Sequence, residues 1–364
     1  MAAALLAACG GSDEALAPPV PGSGEKVVHV YNWTDYIGKT TAANFTARTG
    51  IRVVYDTYDS NELVETKLLT GHTGYDVVFP TATILARMAR IGVFLELDKA
   101  KLPNLVNLDS DVMTRMSGYD PGNLYAIPYM WGTTGLGYNP EMVKKALGRD
   151  TIDSWGAVFD PAIASKLAAC GITMLDAPED VFEAAEIYLG TLPSNEDLDE
   201  LSAAEALVAR VRPYVRSFDS VQHLNALAGG EVCVSLSWSG LMLQARDRGA
   251  AASRPVTVRY AIPREGAPMW FDTAAIPADA PHPDNAHAFL NYLMDPEVIA
   301  AISSEIRYAS ANAAARPFVA DDMREDPSIF PSPEVRATLH VSVMRSQEYS
   351  RDLNRAWTRV KTGQ

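Results

Sequence analysis

The stretch "KVVHVYNW" (residues 26–33) opens the run whose rhythm decides the fold. Its valines read as a strand, and "TTAANFTARTG" (40–50) follows with helical spacing and stops at Gly50, a common helix end. "IRVVYDTY" (51–58) is a second strand, and "SNELVETKLLTG" (60–71) reads as a helix capped by Ser60 with Glu62 in its first turn. "YDVVFPT" (75–81) is a third strand. This βαβαβ alternation predicts a parallel, doubly wound α/β sheet. Such sheets bind ligands beyond the carboxyl ends of their strands. Trp33–Tyr36 and Pro80–Thr81 both fall there.

The segment after the first strand, "TDYIG" (34–38), sets Asp35 among Tyr31, Trp33 and Tyr36. A desolvated carboxylate needs a partner, and aromatic faces attract cations. The cluster therefore suggests a cationic ligand. The plainer alternative is an aromatic strand end whose Asp caps the next helix.

The 364 residues suggest two domains. A formal charge of −14 argues against nucleic acid and agrees with a cationic partner, although a solvated acidic surface gives the same number. "MAAALLAAC" (1–9) is too short to span a bilayer. It looks like the tail of a secretory signal, and "LAAC" looks like a lipobox ending at Cys9, the residue to be lipidated. It has no charged n-region, which reads as a truncated start. A Gly/Pro/Ser tether reaches residue 25. These features predict export. Cys170 and Cys233 are then either a disulfide or two buried thiols, and counting cannot decide between them.

Further on, "YAIPYMWGTTGLGYNP" (125–140) is Gly-rich and aromatic and reads as a crossing between lobes. A second α/β run follows: a helix near 141–147, "ITML" (172–175), a helix at 179–189 and "VCVSLSW" (232–238). "SRPVTVRYAIP" (253–263) reads as another crossing, before "WFDTAAIP" (270–277) and a helix at 284–294. The expected lobes are 26–131 plus 253–306 and 132–252 plus 307–364.

No nucleotide-binding glycine motif, GxSxG elbow or HExxH occurs, and the six histidines are scattered. No cofactor or metal is expected. Asp35 and Asp272 form at most a nominal glycosidase pair, so an enzyme is not expected. Instead, rings and acids gather at apparent strand ends or in loops: Trp33, Asp35, Tyr36, Asp180, Trp238, Trp270, Asp272 and Tyr308. Rings stack on methylenes and carboxylates accept from ammonium N–H, a combination that suits an aliphatic amine.

With "YNWTDYI", "SNELVETKLLTGHTGYDVVFPTA", "IPYMWGTTGLGYN", "CGITMLDAPEDVF", "EVCVSLSWSG", "WFDTAAIPADA" and "RAWTRVKTG", the chain resembles the periplasmic putrescine- and spermidine-binding proteins of bacterial ABC transporters from about residue 27 onward. The resemblance implies a type II periplasmic-binding-protein fold, with two lobes of mostly parallel sheet flanked by helices and a hinge between. It implies a monomer in the periplasm, anchored if Cys9 is lipidated, that captures a polyamine for an inner-membrane ABC permease. The alternatives are an amine sensor of the same fold feeding a receptor, or a binder of a different cationic amine. It also implies that Trp33, Tyr36, Trp238, Trp270 and Tyr308 box the alkyl chain, and that Asp35 and Asp272 share one ammonium. Thr34 and Thr81 would add polar contacts, and Asp180 would stand for a Glu that reaches the far end. Cys170 and Cys233 match a disulfide of putrescine-binding members. Leu241 departs from the pattern, because putrescine binders carry there the Asp that holds the second ammonium. Thr34 and Trp270 are spermidine-like, whereas Asp35 and Ala177 are putrescine-like. Putrescine should therefore bind more weakly than in members that keep the Asp, and a longer polyamine, or an amine whose far end is uncharged, should compete well.

Overall fold

The computed structural model describes residues 24–193 and 196–363; Cys9 and most of the tether lie outside them. Among the described residues, eleven strands form one sheet: β1 (Val27–Trp33), β2 (Arg52–Tyr58), β3 (Val77–Val78), β4 (Ala126–Tyr138), β5 (Ile172–Met174), β6 (Val215–Phe218), β7 (Val234–Trp238), β8 (Arg259–Ala261), β9 (Ala267–Ala275), β10 (Ala309–Ser310) and β11 (Leu339–Val341). The order is β2-β1-β3-β9-β4-β7-β5-β6, with β8 and β10 on β4 and β11 on β9. The outer pairs β1–β2, β1–β3, β5–β6 and β5–β7 are parallel, as the alternation predicts. Where the chain crosses between halves, β4 runs antiparallel to β9, β7 and β8.

The helices begin and end for local reasons. Ser60 caps Asn61–Leu69 by accepting from the Leu63 N–H. Thr41–Thr49 ends at Gly50, whose φ of 73° is left-handed. Its N-cap is Thr40, so Asp35 caps no helix there.

Among the described residues, two large hydrophobic cores and a smaller third cluster around Leu224, Leu227 and Met242 organise the molecule. The first gathers β1–β3, the early part of β4, most of β9 and residues 286–329; the second gathers the end of β4, β5–β7 and residues 349–360. Near the expected boundaries at 253 and 307, short strands rejoin the central strand β4. Residues 309–329 return to the first core because β10 pairs with Met130 and Trp131 of β4. β8 joins the second half of β4 at 136–138. Composition marks a crossing, but it cannot show which sheet a short strand rejoins. Cys170 and Cys233 form a disulfide, with Cα atoms 5.5 Å apart, that closes the second core.

Candidate functional site

All eleven residues expected at the site line one cavity of about 180 Å³ between the two cores. Two placements differ from expectation. Trp270 and Asp272 are interior to β9 rather than at a strand end or in a loop, and Asp180 sits in the first turn of the helix Pro178–Leu189. Reading "WFDTAAIP" as the whole strand missed the preceding Ala267–Met269, because Pro268 looks like a boundary.

At one end, Asp272 is 5% exposed. Tyr36 donates its hydroxyl to Asp272 Oδ2 at 2.7 Å, while Oδ1 is buried with no partner among the described residues. Burial pushes this carboxyl up to about 7, against the Tyr36 hydrogen bond. Three rings enclose it. Tyr308 is edge-on to Tyr36 at 5.2 Å and to Trp270 at 5.4 Å between centroids. Small residues make room for them. A Cβ on Gly132 would lie 2.6 Å from the Trp270 ring, and one on Gly240 would lie 2.4 Å from the Tyr308 ring. The Leu241 N–H donates to Tyr308 Oη at 3.2 Å, which brings Leu241 to the same wall.

At the other end, Trp33 closes β1 and Trp238 closes β7, with their rings at 6.2 Å and 68°. Trp238 Nε1 donates to Asp180 Oδ1 at 3.0 Å, and the Thr134 hydroxyl donates to the same oxygen. Burial still pushes Asp180 up to about 6. Two acids that the sequence reading missed line this end, Glu179 and Glu183. Burial pushes them up to about 7 and about 8. The signal was legible: in "PEDVFEAAEIYL" (178–189), carboxylates four apart interrupt a helix that is otherwise apolar and buried.

The polar candidates divide. Thr34 Oγ1 donates to the Tyr58 carbonyl at 3.2 Å, and Thr81 Oγ1 donates to Asn61 Oδ1 at 3.1 Å. Asp35 has φ 56° and a side chain 61% exposed at the rim. There Arg248 reaches it from the second half at 3.5 Å while also donating to Asn225 at 3.0 Å. Asp35 and Asp272 thus occupy different environments: one is wet and paired, the other dry and half-paired. Among the described residues, no group of three or more His, Cys, Asp or Glu is placed to hold a metal.

The arrangement is a lined cleft that can desolvate a chain-like cation and neutralise it at both ends. Residues 40–331 match the family model described as "Bacterial extracellular solute-binding protein". Over 339 residues the chain is 48% identical to the putrescine-binding periplasmic protein SpuD of Pseudomonas aeruginosa, covering 93% of this chain and 92% of that protein. It is 46% identical over 341 residues to the putrescine-binding periplasmic protein PotF of Escherichia coli, covering 93% and 92%. A putative spermidine/putrescine ABC transporter structure from Listeria monocytogenes superposes with a TM-score of 0.84 at 28% identity, covering 93% of this chain and all of that one.

Proposed function

The chain belongs to the bacterial extracellular solute-binding proteins, and from that membership we propose that it captures a polyamine in the periplasm and hands it to the permease of an ABC importer. It is a binding protein and not an enzyme. The observation that carries the ligand class is Asp272 Oδ1, a buried carboxylate oxygen inside a box of rings, with no partner among the described residues. An ammonium ion supplies the missing donors, and the rings take its methylenes. The relatives named for putrescine and spermidine support the same class.

In this reading Asp272 and Asp180 neutralise the two ends of the ligand, with Trp33, Tyr36, Trp238, Trp270 and Tyr308 around its chain. Asp35 closes the rim with Arg248. The two cores are the lobes, and ligand stabilises their closed arrangement, which the permease recognises. The protein acts as a monomer, tethered at Cys9.

Calorimetry and thermal shift with putrescine, cadaverine and spermidine test this, with the matching diols as neutral controls. Amines should bind and raise the melting temperature while diols do neither. The reading fails if no amine binds, or if diols bind as well as amines. Uptake of labelled amine by cells with and without the protein tests delivery, and unchanged uptake would remove the transport role.

A further inference from the structure

Around the helix His223–Ala228, one wall of the cavity belongs to neither large core. Ser220, Val221, Leu224 and Asn225 line the cavity. Behind them, Leu224 and Leu227 pack with Met242, Ala245 and Val258 in the small third cluster. The segment hangs between two fixed points. At one end the Asp219 N–H donates to the Met174 carbonyl of β5 at 2.9 Å. At the other, Cys233 is held by its disulfide and donates its N–H to the Gly171 carbonyl at 3.0 Å. Ser220 and Glu231 are tied close to those ends, by the Asp176 N–H and by Arg216. Gly229 and Gly230 follow the helix, and Gly230 turns left-handed at φ 73°. Inside the ends, two polar ties fasten the helix. Arg248 donates to Asn225 Oδ1 at the exposed rim, and His223 Nε2 lies 2.7 Å from Ser237 Oγ of β7 in the interior. A short helix on a small apolar cluster falls at the low-stability end of a fold.

We infer that residues 220–232 are a flap that opens the cavity without parting the two large cores, and that the His223–Ser237 contact is its catch. The flap serves whatever solute fills the cavity, so it stands apart from the polyamine reading. Acid releases the catch. His223 is 1% exposed, and its Nδ1 has no partner among the described residues. A neutral ring leaves one nitrogen bare; a charged ring would put a second N–H into a dry site with nothing to accept it. Burial lowers the imidazole from the ordinary 6.5 to about 4, although the Asp219 charge pulls the other way. β4 and β7 bring no charged side chain to it. The helix Ser239–Ala251 carries Arg246, Asp247 and Arg248, which pair with Asp326, with Arg307, and with Asn225 and Asp35. Once the flap opens, His223 meets water and takes up protons as an ordinary histidine does. Between 6.5 and about 4 the open flap therefore holds more protons than the closed one, so closure weakens as pH falls through that window. From pH 7 to pH 5 the open fraction should rise about twentyfold.

The test is hydrogen exchange on the ligand-free full chain, corrected for intrinsic rates. Amides of residues 220–230 should lose about twentyfold in protection from pH 7 to pH 5, while those of β4 stay within about threefold. His223→Gln puts a neutral amide in the place of the ring, so its flap protection should stay within about threefold over the same change. Ser237→Ala should lower flap protection at both pH values. At pH 7, putrescine should slow exchange of the flap in wild type. The inference is overturned if flap and β4 amides exchange together, if flap protection in wild type ignores pH, or if His223→Gln keeps the acid response. It is also overturned if putrescine binds and leaves flap exchange unchanged, because the flap then does not cover the cavity. Should His223→Gln fail to fold, the contrast between flap and β4 in wild type decides alone. If no amine binds wild type, the polyamine reading fails while the acid response of the flap still stands or falls on the ligand-free data.

Discussion

The two ends of the cleft both present buried carboxyl groups, but they hold them with different materials. The Asp272 end is strand-borne: one carboxylate, fixed by the pairing of β9 with β4, held by one tyrosine and enclosed by rings. The far end is helix-borne: several carboxylates on one turn, backed by Arg345 and tied to Ser342. A strand inside a sheet cannot shift one residue without moving its neighbours, so the first end is an anchor. A helix face presents side chains three and four residues apart, so the second end offers several carboxyl groups along one face.

The comparison breaks most directly at Asp272. Asp272→Asn should leave an ammonium partly unpaired in a dry site. A loss of roughly 3–5 kcal/mol is expected, a hundredfold or more in affinity by calorimetry. Near-normal binding would mean that the anchor lies elsewhere. Of similar size, but acting on stability rather than on the ligand, is the Cys170–Cys233 bridge of the second core. Its sequence separation of 63 implies about 4 kcal/mol by loop entropy. Cys233→Ser should lower the melting temperature sharply, whereas an unchanged melting curve would show that the loop is already ordered without the bridge.

Gly240→Ala probes the ring wall. Its Cβ would lie 2.4 Å from the Tyr308 ring, and overpacking costs about 1–3 kcal/mol. Affinity should fall for putrescine and spermidine alike. Selective loss here would place Tyr308 at the far end.

The pH response sharpens the comparison further. Asp272, Asp180, Glu179 and Glu183 all have folded-state values raised by burial. Between the ordinary carboxylate range and about 8, the ligand-free folded protein therefore binds more protons than the unfolded chain. Its stability should rise as pH falls from 8 to 6. Cation binding runs the other way: it needs the carboxylates, so affinity should fall over the same interval and binding should release protons. Enthalpies measured in buffers of different ionisation heat would show that release; identical enthalpies would contradict it.

The smallest effect is expected at Asp35→Asn. The side chain is 61% exposed and its Arg248 partner is 46% exposed, so the pair is worth about 0–1 kcal/mol. Less than a tenfold loss should follow. A loss as large as that of Asp272→Asn would show that Asp35 turns inward onto the ligand.

Much of this was legible in the chain. The βαβαβ run, the capped helix at Ser60 and the crossing at residues 125–140 follow from periodicity and turn chemistry, which act over a few residues. The rings and acids of the cleft were named by residue type, and the family motifs aligned them. Glu179 and Glu183 were legible too, as charges breaking an apolar helix, but their spacing passes for an ordinary solvated face until burial is known.

Only the tertiary structure separated Asp35 from Asp272. The two residues have the same side chain and both neighbour aromatic rings, and sequence assigns them one role. Tyr36 and Asp272 are 236 positions apart and meet because β9 crosses to pair with β4. That crossing excludes water from Asp272, while the left-handed turn at Asp35 leaves its carboxylate at the rim. Residue type determines what charge a side chain can carry. The solvent and partners that set the worth of that charge come from distant parts of the chain, so they were decided only when the sheet assembled.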